Sequence, residues 1–274
     1  MILRGNYHTH TTMCDGKNTA EEMAEQACAI GFTHLGFSGH VDPSVPMDIG
    51  AYMKEIGRLK EAYRGRLEIL CGAELDSFCD PGLVREAEYV IGSVHHLPGP
   101  DGKPMGVDAS EEEMLRLGRE CFGDDYYALA REYYREEAQV KDLTDCTFIG
   151  HFDLVTRFND SLHFLDEEDP RYLRPALEAM EYLVSEDVPF EINCGAVNRG
   201  RKKELYPNMH LLRELHRMGG RILISSDAHE KGLLDGAFDI AAQRAAACGF
   251  THSLFLVRGK DGRPEFKEQA LDIR

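Results

Sequence analysis

The sequence predicts an α/β protein made of about seven or eight consecutive βα units. Short β-branched or apolar runs alternate with longer amphipathic stretches from one end of the chain to the other. No Ser-, Pro- or Gly-rich linker interrupts this alternation, and no fixed-period repeat is visible beyond it. We therefore expect one domain over residues 1–274 with a substantial core, since 43% of the residues are hydrophobic.

The apolar runs place the strands, and the amphipathic stretches place the helices. The predicted strands are Asn6–His8, His34–Ser38, Leu67–Glu74, Tyr89–His95, Phe148–His151, Pro189–Asn193, Arg221–Ser226 and Ser253–Val257. The predicted helices lie near residues 19–30, 48–63, 109–139, 170–186, 208–218 and 231–248. The first helix follows a capping residue in Asn18-Thr19, has acidic residues in its first turn and stops at Gly31. The Gly-, Pro- and Asp-rich segment Leu97–Ser110 is predicted to be a long loop and a candidate lid.

The charge of the chain excludes some classes of partner. Thirty-one Lys and Arg residues against 48 Asp and Glu give a formal net charge of −17, which repels extended nucleic acid. A small anion can still bind if metal ions supply positive charge locally. No apolar run approaches the ~18 residues of a membrane span, and eight scattered cysteines predict reduced thiols. We expect a cytoplasmic protein that does not bind membranes, and the sequence leaves its oligomeric state open.

Most of the twelve histidines fall at predicted strand ends, and this placement predicts a metal site. In a βα barrel the carboxyl ends of all strands open onto one face, so residues distant in sequence can converge there. Strand by strand, the residues at these ends are His8 and His10, His40, Glu74, His95 and His96, His151 and Asp153, and Asp227 and His229. His8 and His10 are two residues apart, so their side chains share a face and can hold one ion. Imidazoles mixed with carboxylates suit zinc, iron or manganese and favour a hydrolytic site with several metals over a structural zinc site.

Six motifs occur in a fixed order along the chain. They are Tyr7-His8-Thr9-His10-Thr11-Thr12, Gly39-His40, Gly72-Ala73-Glu74, Gly92-Ser93-Val94-His95, Gly150-His151-Phe152-Asp153 and Ser226-Asp227-Ala228-His229. Together they resemble the successive motifs of the PHP (polymerase and histidinol phosphatase) family, from residue 6 to about residue 230. The resemblance implies a distorted (β/α)7 TIM-like barrel with about three divalent metal ions at the C-terminal ends of the strands.

The resemblance also implies a set of ligands for each ion. His8, His10, Glu74 and Asp227 would hold the first ion, Glu74, His95 and His151 the second, and Asp15, His40 and His229 the third. Many relatives have His where this chain has Asp15. His95 and His96 are adjacent and point to opposite sides of a strand, so only one is expected to bind metal. We predict His95, which follows Gly-Ser-Val, and this leaves His96 to contact substrate or to pack.

One further group of residues indicates a branch of the family and therefore a substrate. Phe190-Glu191-Ile192-Asn193, Arg199 and Tyr206-Pro207 resemble a run in the histidinol-phosphatase branch of that family. This implies a phosphomonoesterase that hydrolyses L-histidinol phosphate by means of a water or hydroxide bridging the first two ions.

Several other residues are predicted to act on the substrate. Arg157 and Arg199 are expected to bind phosphate, because a guanidinium offers paired donors that match its oxygens. Arg201 is the alternative to Arg199, because the residues between Asn193 and the arginine depart from the pattern of the branch. We expect Asp153, His96 or a metal-bound water to protonate the leaving alkoxide, and Asp42 to recognise the amine or imidazole of the substrate.

The sequence is compatible with two other functions. A PHP-family phosphoesterase acting on nucleotides or other small phosphate esters would use the same metal residues. The absence of polymerase segments and the strong negative charge argue against a polymerase-associated nuclease. A non-catalytic metal-binding regulatory module would be marked by lost ligands, and no expected ligand position is vacant.

Overall fold

The computed structural model describes residues 3–260 and 262–271, and one large sheet runs through this part of the chain. Its strands are, in spatial order, β1 (Gly5–Asn6), β2 (His34–Val41), β3 (Glu68–Asp76), β4 (Tyr89–Ser93), β7 (Phe148–Ile149), β8 (Phe190–Asn193), β9 (Ile222–Ser225), β10 (His252–Arg258) and β11 (Pro264–Ala270). A separate hairpin pairs β5 (His96–Pro98) with β6 (Pro104–Gly106). Neighbouring strands of the large sheet are parallel from β1 to β10, and β11 is antiparallel to β10.

The sheet closes on itself between β1 and β9. Thr9, after β1, forms a parallel bridge with Ala228, after β9. The amide of His10 donates to the Ala228 carbonyl (2.9 Å), and the amide of Ala228 donates to the His8 carbonyl (3.2 Å). Among the described strands, β1 to β4 and β7 to β9 therefore form a ring of seven parallel strands. The predicted α/β barrel of seven strands is confirmed.

Helices alternate with the strands, as predicted. They are α1 (Ala20–Ile30), α2 (Ile49–Ala62), α3 (Glu111–Phe122), α4 (Tyr126–Thr144), α5 (Asn159–Leu162), α6 (Pro170–Ser185), α7 (Gly195–Asn198), α8 (Met209–Arg217) and α9 (Phe238–Ala247). The single helix predicted near 109–139 is wrong, because Gly123 takes a left-handed φ of 60° and ends α3 before α4 begins. The helix predicted near 231–248 is a 3-10 turn at Lys231–Leu233 followed by α9. A 3-10 turn at Pro81–Val84 joins β3 to β4 and distorts the regular βα alternation.

Helix α1 has the ends that its sequence predicts. The Thr19 side chain accepts a hydrogen bond from the Glu22 amide, and the Glu22 side chain accepts one from the Thr19 amide, which completes a capping box. Gly31 ends the helix with a φ of 90°, a left-handed conformation that costs a residue with a Cβ ~1–2 kcal/mol. An N-cap of this kind contributes about 1 kcal/mol. The N-cap therefore fixes where the loop between β1 and α1 ends, and Gly31 fixes where α1 ends.

Large aromatic side chains fill the interior of the barrel. The Tyr89 hydroxyl donates to the carbonyl oxygens of Tyr7 (2.7 Å) and Phe37 (3.0 Å), so its ring lies between neighbouring strands. Gly72 makes this possible, because a Cβ at that position would lie 2.2 Å from the Tyr89 ring. Burial of each such ring contributes roughly 1.5–3 kcal/mol. The barrel is thus a packed core rather than a channel.

Strand β10 closes the amino-terminal end of the barrel. The Tyr7 hydroxyl donates to the Leu256 carbonyl (2.8 Å), and the Arg258 amide donates to the Glu68 carboxylate at the start of β3 (2.6 Å). The predicted eighth strand therefore exists, and the antiparallel strand β11 beyond it was not predicted. The carboxyl ends of the barrel strands form the opposite, open face.

The segment 97–110, predicted to be a long loop, carries the hairpin of β5 and β6. Leu97, Met105 and Val107 are buried, so the hairpin packs into the core and does not stand free. The loop prediction is wrong for these two strands. The hairpin brings Asp108, which follows β6, to the open face of the barrel.

Two further sequence predictions concern membranes and thiols. Among the described helices, none is both long enough and apolar enough to cross a membrane. All eight cysteines lie within the described ranges and are free. Burial raises the pKa of the Cys146 thiol to about 11, which suits a structural rather than a reactive residue.

Candidate metal centre

The nine predicted ligands lie together at the carboxyl ends of the barrel strands. They are His8, His10, Asp15, His40, Glu74, His95, His151, Asp227 and His229. One donor atom of each residue lies within 4.8 Å of donor atoms of at least two other members. The closure of the sheet sets the loops after β1 and β9 side by side, so residues at the two ends of the barrel sequence meet.

The carboxylate of Glu74 is the centre of this cluster. Its Oε1 lies 2.8 Å from His151 Nε2 and 3.0 Å from His95 Nε2. Its Oε2 lies 3.0 Å from His40 Nδ1 and 3.1 Å from His8 Nε2. Each oxygen therefore faces its own imidazoles, which is the arrangement of a carboxylate shared by two ions.

Two aspartates bound the other side of the cluster. Asp227 Oδ1 lies 3.4 Å from both His10 Nε2 and His229 Nδ1. Asp15 lies 3.1 Å from His229 Nε2 through Oδ2 and 3.6 Å from His40 Nε2 through Oδ1. Asp227 has a left-handed φ of 48°, which Asp tolerates better than most residues. The Asp15 side chain is 38% exposed, so the cluster opens to solvent at this end.

The imidazole of His10 lies between two others. Its ring centroid is 4.2 Å from that of His40 and 4.2 Å from that of His229. Burial, together with these two rings, lowers the pKa of His10 to about 3, so the ring is neutral. A neutral imidazole is the form that binds a metal ion.

The donor atoms of the cluster fit divalent metal ions. His8 Nε2, His10 Nε2, His40 Nδ1 and Glu74 Oε2 are buried and have no aligned hydrogen-bond partner among the described residues. Unpaired buried polar atoms are costly and rare. The three nitrogens nevertheless lie 3.0–3.5 Å from Glu74 Oε2, and ligands bound ~2.1 Å from one ion lie roughly 3.0–3.4 Å apart. Imidazole and carboxylate donors at these separations are what zinc, iron and manganese prefer.

The three predicted ligand sets overlap in space. His10 groups with Asp15, His40 and His229 as well as with His8 and Asp227. The residues as a group fit a cluster of ions. The assignment of each residue to one ion, and the number of ions, stay predictions.

Glu191, in β8, orients two of the ligands from behind. Its Oε1 lies 2.7 Å from His8 Nδ1, and its Oε2 accepts hydrogen bonds from the His151 amide (3.0 Å) and the Asn193 side chain (2.9 Å). A carboxylate on one ring nitrogen fixes the tautomer that presents the other nitrogen to a metal. Burial alone would lower the pKa of His8, but the nearby carboxylates of Glu191 and Glu74 raise it overall. Glu191 is not among the residues predicted from the sequence to act at this site.

The adjacent histidines 95 and 96 face different partners, as predicted. His95 points into the cluster, and its Nδ1 lies 3.5 Å from Asp108 Oδ2. His96 Nδ1 lies 3.1 Å from Asp76 Oδ2 and 3.6 Å from Asp42 Oδ2. Asp76 also accepts a hydrogen bond from the His95 amide (2.9 Å), so it fixes both residues. Neither Asp76 nor Asp108 was predicted.

A cavity of about 700 Å³ opens above the cluster, and arginines form one wall of its described part. Arg199 lies 3.1 Å from Asp227 Oδ2, and Arg157 lies 3.3 Å from Asp108 Oδ2. Arg201 lines the same wall and forms no ion pair with any described residue. Partial burial, with the like charges of Arg157 and Arg199, lowers the pKa of Arg201. The wall is thus positive and suited to an anion.

Asp153 lies apart from this cavity. It is fully buried, and its Oδ2 accepts a hydrogen bond from the Asn208 amide (3.0 Å). Burial raises its pKa to about 7, although nearby Lys202 opposes the rise. Of the residues in the turn after β7, Leu154 and Arg157 line the described part of the cavity, and Asp153 does not. A role for Asp153 as proton donor stays a prediction.

The PHP domain family model matches residues 6–195, more than half of the chain. The chain belongs to the PHP domain family. The matched range contains every candidate ligand except Asp227 and His229, and it confirms the predicted resemblance.

Relatives align along most of this PHP-family chain. The probable histidinol-phosphatase of Deinococcus radiodurans is 30% identical over 246 residues, which cover 82% of this chain and 86% of that protein. The histidinol-phosphatase of Bacillus subtilis is 26% identical over 267 residues, which cover 86% of this chain and 97% of that protein. The solved histidinol phosphate phosphatase of Lactococcus lactis, complexed with zinc, L-histidinol and phosphate, matches with a TM-score of 0.71 and 21% identity. That match covers 92% of this chain and 95% of the other and shows a common fold.

Proposed function

We propose that this chain is a metal-dependent phosphomonoesterase that hydrolyses L-histidinol phosphate to L-histidinol and phosphate. The observation that carries this proposal is the convergence of nine ligands around Glu74, beneath a cavity with a wall of arginines. Relatives that align along most of the chain bear the name histidinol-phosphatase, which supports this substrate. The proposed cofactors are about three divalent ions, of zinc, iron or manganese.

The charge of the centre suits a phosphate monoester. Divalent ions bound here would supply a water acidic enough to attack phosphorus near neutral pH. With Asp15, Glu74 and Asp227 ionised, about three such ions would leave a local charge of roughly +3. A dianionic phosphate is attracted to this point, whereas the net charge of −17 disfavours extended nucleic acid. We place the protein in the cytoplasm, without contact with membranes.

Arg157 and Arg199 are the proposed phosphate ligands. Both line the cavity, and each guanidinium is held by a carboxylate, from Asp108 (3.3 Å) and Asp227 (3.1 Å) respectively. The fork of a guanidinium matches the geometry of phosphate oxygens. Arg199 Nη1 already donates to the Asp227 carbonyl (2.9 Å), so Nη2 is the part of this fork that we expect to meet phosphate. Arg201 stays the alternative to Arg199, because its side chain reaches the same cavity.

His96 is the proposed proton donor to the leaving alkoxide. It lines the cavity, whereas Asp153 is not part of the described wall. Asp76 lies against Nδ1 of the ring (3.1 Å), so Nε2 points away from that carboxylate. An imidazole oriented by a carboxylate is a common general acid in hydrolases. Asp42 lines the same part of the cavity and is the proposed partner of the substrate amine or imidazole.

The proposal is tested by phosphate release from L-histidinol phosphate beside a panel of nucleotides and sugar phosphates. The protein is reconstituted with manganese, zinc or iron, and bound metal is counted in parallel. We expect a kcat/KM at least ~100-fold above every competitor, about 2.7 kcal/mol of transition-state discrimination. Activity spread evenly over the panel, or confined to nucleotides, would assign the chain to another PHP-type phosphoesterase role. No hydrolysis of any monoester would support the non-catalytic metal-binding module.

A further inference from the structure

Lys202 is a buried lysine between the two segments that carry the cavity arginines. Its side chain is 1% exposed, and it follows Arg201 in the loop between α7 and α8. Its Nζ donates a hydrogen bond to Thr156 Oγ1, and Thr156 directly precedes Arg157 in the turn after β7. One side chain therefore links the segment of Arg199 and Arg201 to the segment of Arg157.

The residues around Lys202 offset its positive charge, but they do not account for the presence of a lysine at this buried position. Glu167 Oε1 lies 3.5 Å from Nζ, and the ring centroid of Tyr206 lies 5.3 Å from it. A buried ion pair adds little net stability, because removing both charges from water costs about as much as their attraction returns. Stability alone therefore does not account for an ammonium group at this position.

Thr156 and Glu167, the two polar partners of Lys202, form further hydrogen bonds within the surrounding loops. The Thr156 hydroxyl donates to the Asp153 carbonyl (2.8 Å). Asn208 donates from its amide to Asp153 Oδ2 (3.0 Å) and from its side chain to Glu167 Oε2 (3.0 Å). A connected set of hydrogen bonds thus joins the turn after β7, the loop before α6 and the loop before α8. Because Thr156 belongs to this set and directly precedes Arg157, movement of any of these loops would displace Arg157.

We propose that Lys202 is a positioning residue for phosphate binding, which fixes the separation of the Arg157 and Arg199 guanidinium groups through its hydrogen bond to Thr156. This inference rests on the proposed phosphatase function of the same site. Paired donors lose much of their effect when displaced by ~1 Å, so the link sets how tightly the cavity holds phosphate. Neither Lys202 nor Thr156 forms a side-chain hydrogen bond or ion pair with any of the nine proposed ligands in the described part of the chain.

The test uses three variants and a control, all as metal-loaded full-length chains. Lys202→Met keeps the length and apolar stem of lysine but removes its donor. Thr156→Val removes the acceptor while leaving the lysine in place, and Thr156→Ser keeps the hydroxyl. Lys60→Met is the control, because Lys60 forms an ion pair with Glu88 (2.7 Å) near the start of β4, at the other end of the barrel. Binding of inorganic phosphate is measured by titration calorimetry, with metal content and melting temperature recorded for each protein.

We expect Lys202→Met and Thr156→Val to weaken phosphate binding by ~10-fold or more, about the loss of one charge-assisted hydrogen bond. They should also raise KM for L-histidinol phosphate more than they lower kcat, while metal content stays at the wild-type level. Thr156→Ser and Lys60→Met should bind phosphate like wild type. If the wild type binds phosphate and Thr156→Val binds it equally well, the inference is overturned even if Lys202→Met does not fold. A wild-type protein that neither binds phosphate nor hydrolyses the monoester would overturn the proposed function too.

Discussion

Replacing Glu74 with glutamine tests whether one carboxylate holds the metal centre together. Glutamine has the same shape, so the packing of the barrel is kept, but one oxygen becomes an amide nitrogen that cannot bind a cation. One oxygen of Glu74 faces His95 and His151, and the other faces His8 and His40. Whichever way the amide turns, one of these pairs loses its shared ligand. The variant should therefore lose metal from at least one side of the cluster.

The size of the effect follows from the contact that disappears. Removing even a residue that only supports a ligand lowers metal affinity by ~10–100-fold. Loss of the shared ligand itself should cost at least ~100-fold in affinity, about 2.7 kcal/mol. Activity should fall by ~10³-fold or more in kcat/KM, because bound metal supplies several kcal/mol of transition-state stabilisation.

The assay combines metal counting with kinetics. Metal content is measured by mass spectrometry after dialysis at a fixed free zinc concentration, and kcat/KM is measured by phosphate release from L-histidinol phosphate. Glu137→Gln is the matched control, because Glu137 is equally buried but lies in α4, where the Tyr133 hydroxyl donates to it (2.7 Å). A Glu74→Gln protein with full metal content and a kcat/KM within about threefold of wild type would refute the shared-ligand assignment.

Four other changes have expected outcomes. His96→Asn should slow hydrolysis of L-histidinol phosphate far more than that of p-nitrophenyl phosphate, whose acidic leaving group needs no proton; equal slowing would exclude His96 as the acid. Arg199→Ala should raise KM and lower kcat/KM by ~10–100-fold with bound metal retained, since a phosphate contact is lost; unchanged kinetics would move the role to Arg201. Glu191→Gln should lower zinc affinity by ~10–100-fold in a chelator competition, and wild-type affinity would contradict its orienting role. Burial raises the pKa of Glu137 in the folded state, so the unfolded chain releases this proton first and wild-type stability falls as pH rises above ~4.3. Glu137→Gln lacks that loss, so the melting temperature of the variant relative to that of wild type should increase from pH 4 to pH 8. A difference that does not change with pH would contradict the raised pKa of Glu137.

The order of the elements could be predicted because each barrel strand is a short apolar run between amphipathic stretches. The predictions that were wrong concern the ends of single helices and the positions of short or edge strands. Gly123 lies inside a helical pattern, where the sequence does not distinguish a tolerated glycine from one that ends the helix. Strand β11 lies at the edge of the described sheet and is partly exposed along its length, and its sequence has no apolar run that would have predicted a strand. The hairpin strands β5 and β6 have three residues each, too few to show a period.

The ligands could be predicted because they occupy strand ends in a recognisable order, whereas the residues behind them were missed. Asp76 follows Glu74 by two positions in the same strand, so the alternation of strand side chains could have placed both on one face. Glu191 is a charged residue inside an apolar run, which signals a buried partner. Asp108 had no such signal, because its position depends on a hairpin that the sequence did not predict. Contacts of this kind arise from the closed barrel and not from spacing.

The closure between β1 and β9 also determines when, during synthesis, metal can be held. Asn6 and Ser226, which bond across this closure, are 220 residues apart. His8 and His10 are synthesised just after the first strand of the seven-strand ring and Asp227 and His229 after its last strand, so the first and third proposed ligand sets stay incomplete until the segment after β9 has been made. Only the second set, which ends at His151, exists earlier. The first and third sets can bind metal only after the barrel has closed. The folded protein and the ions around it, and not the nascent chain, therefore determine which metal these two sets bind.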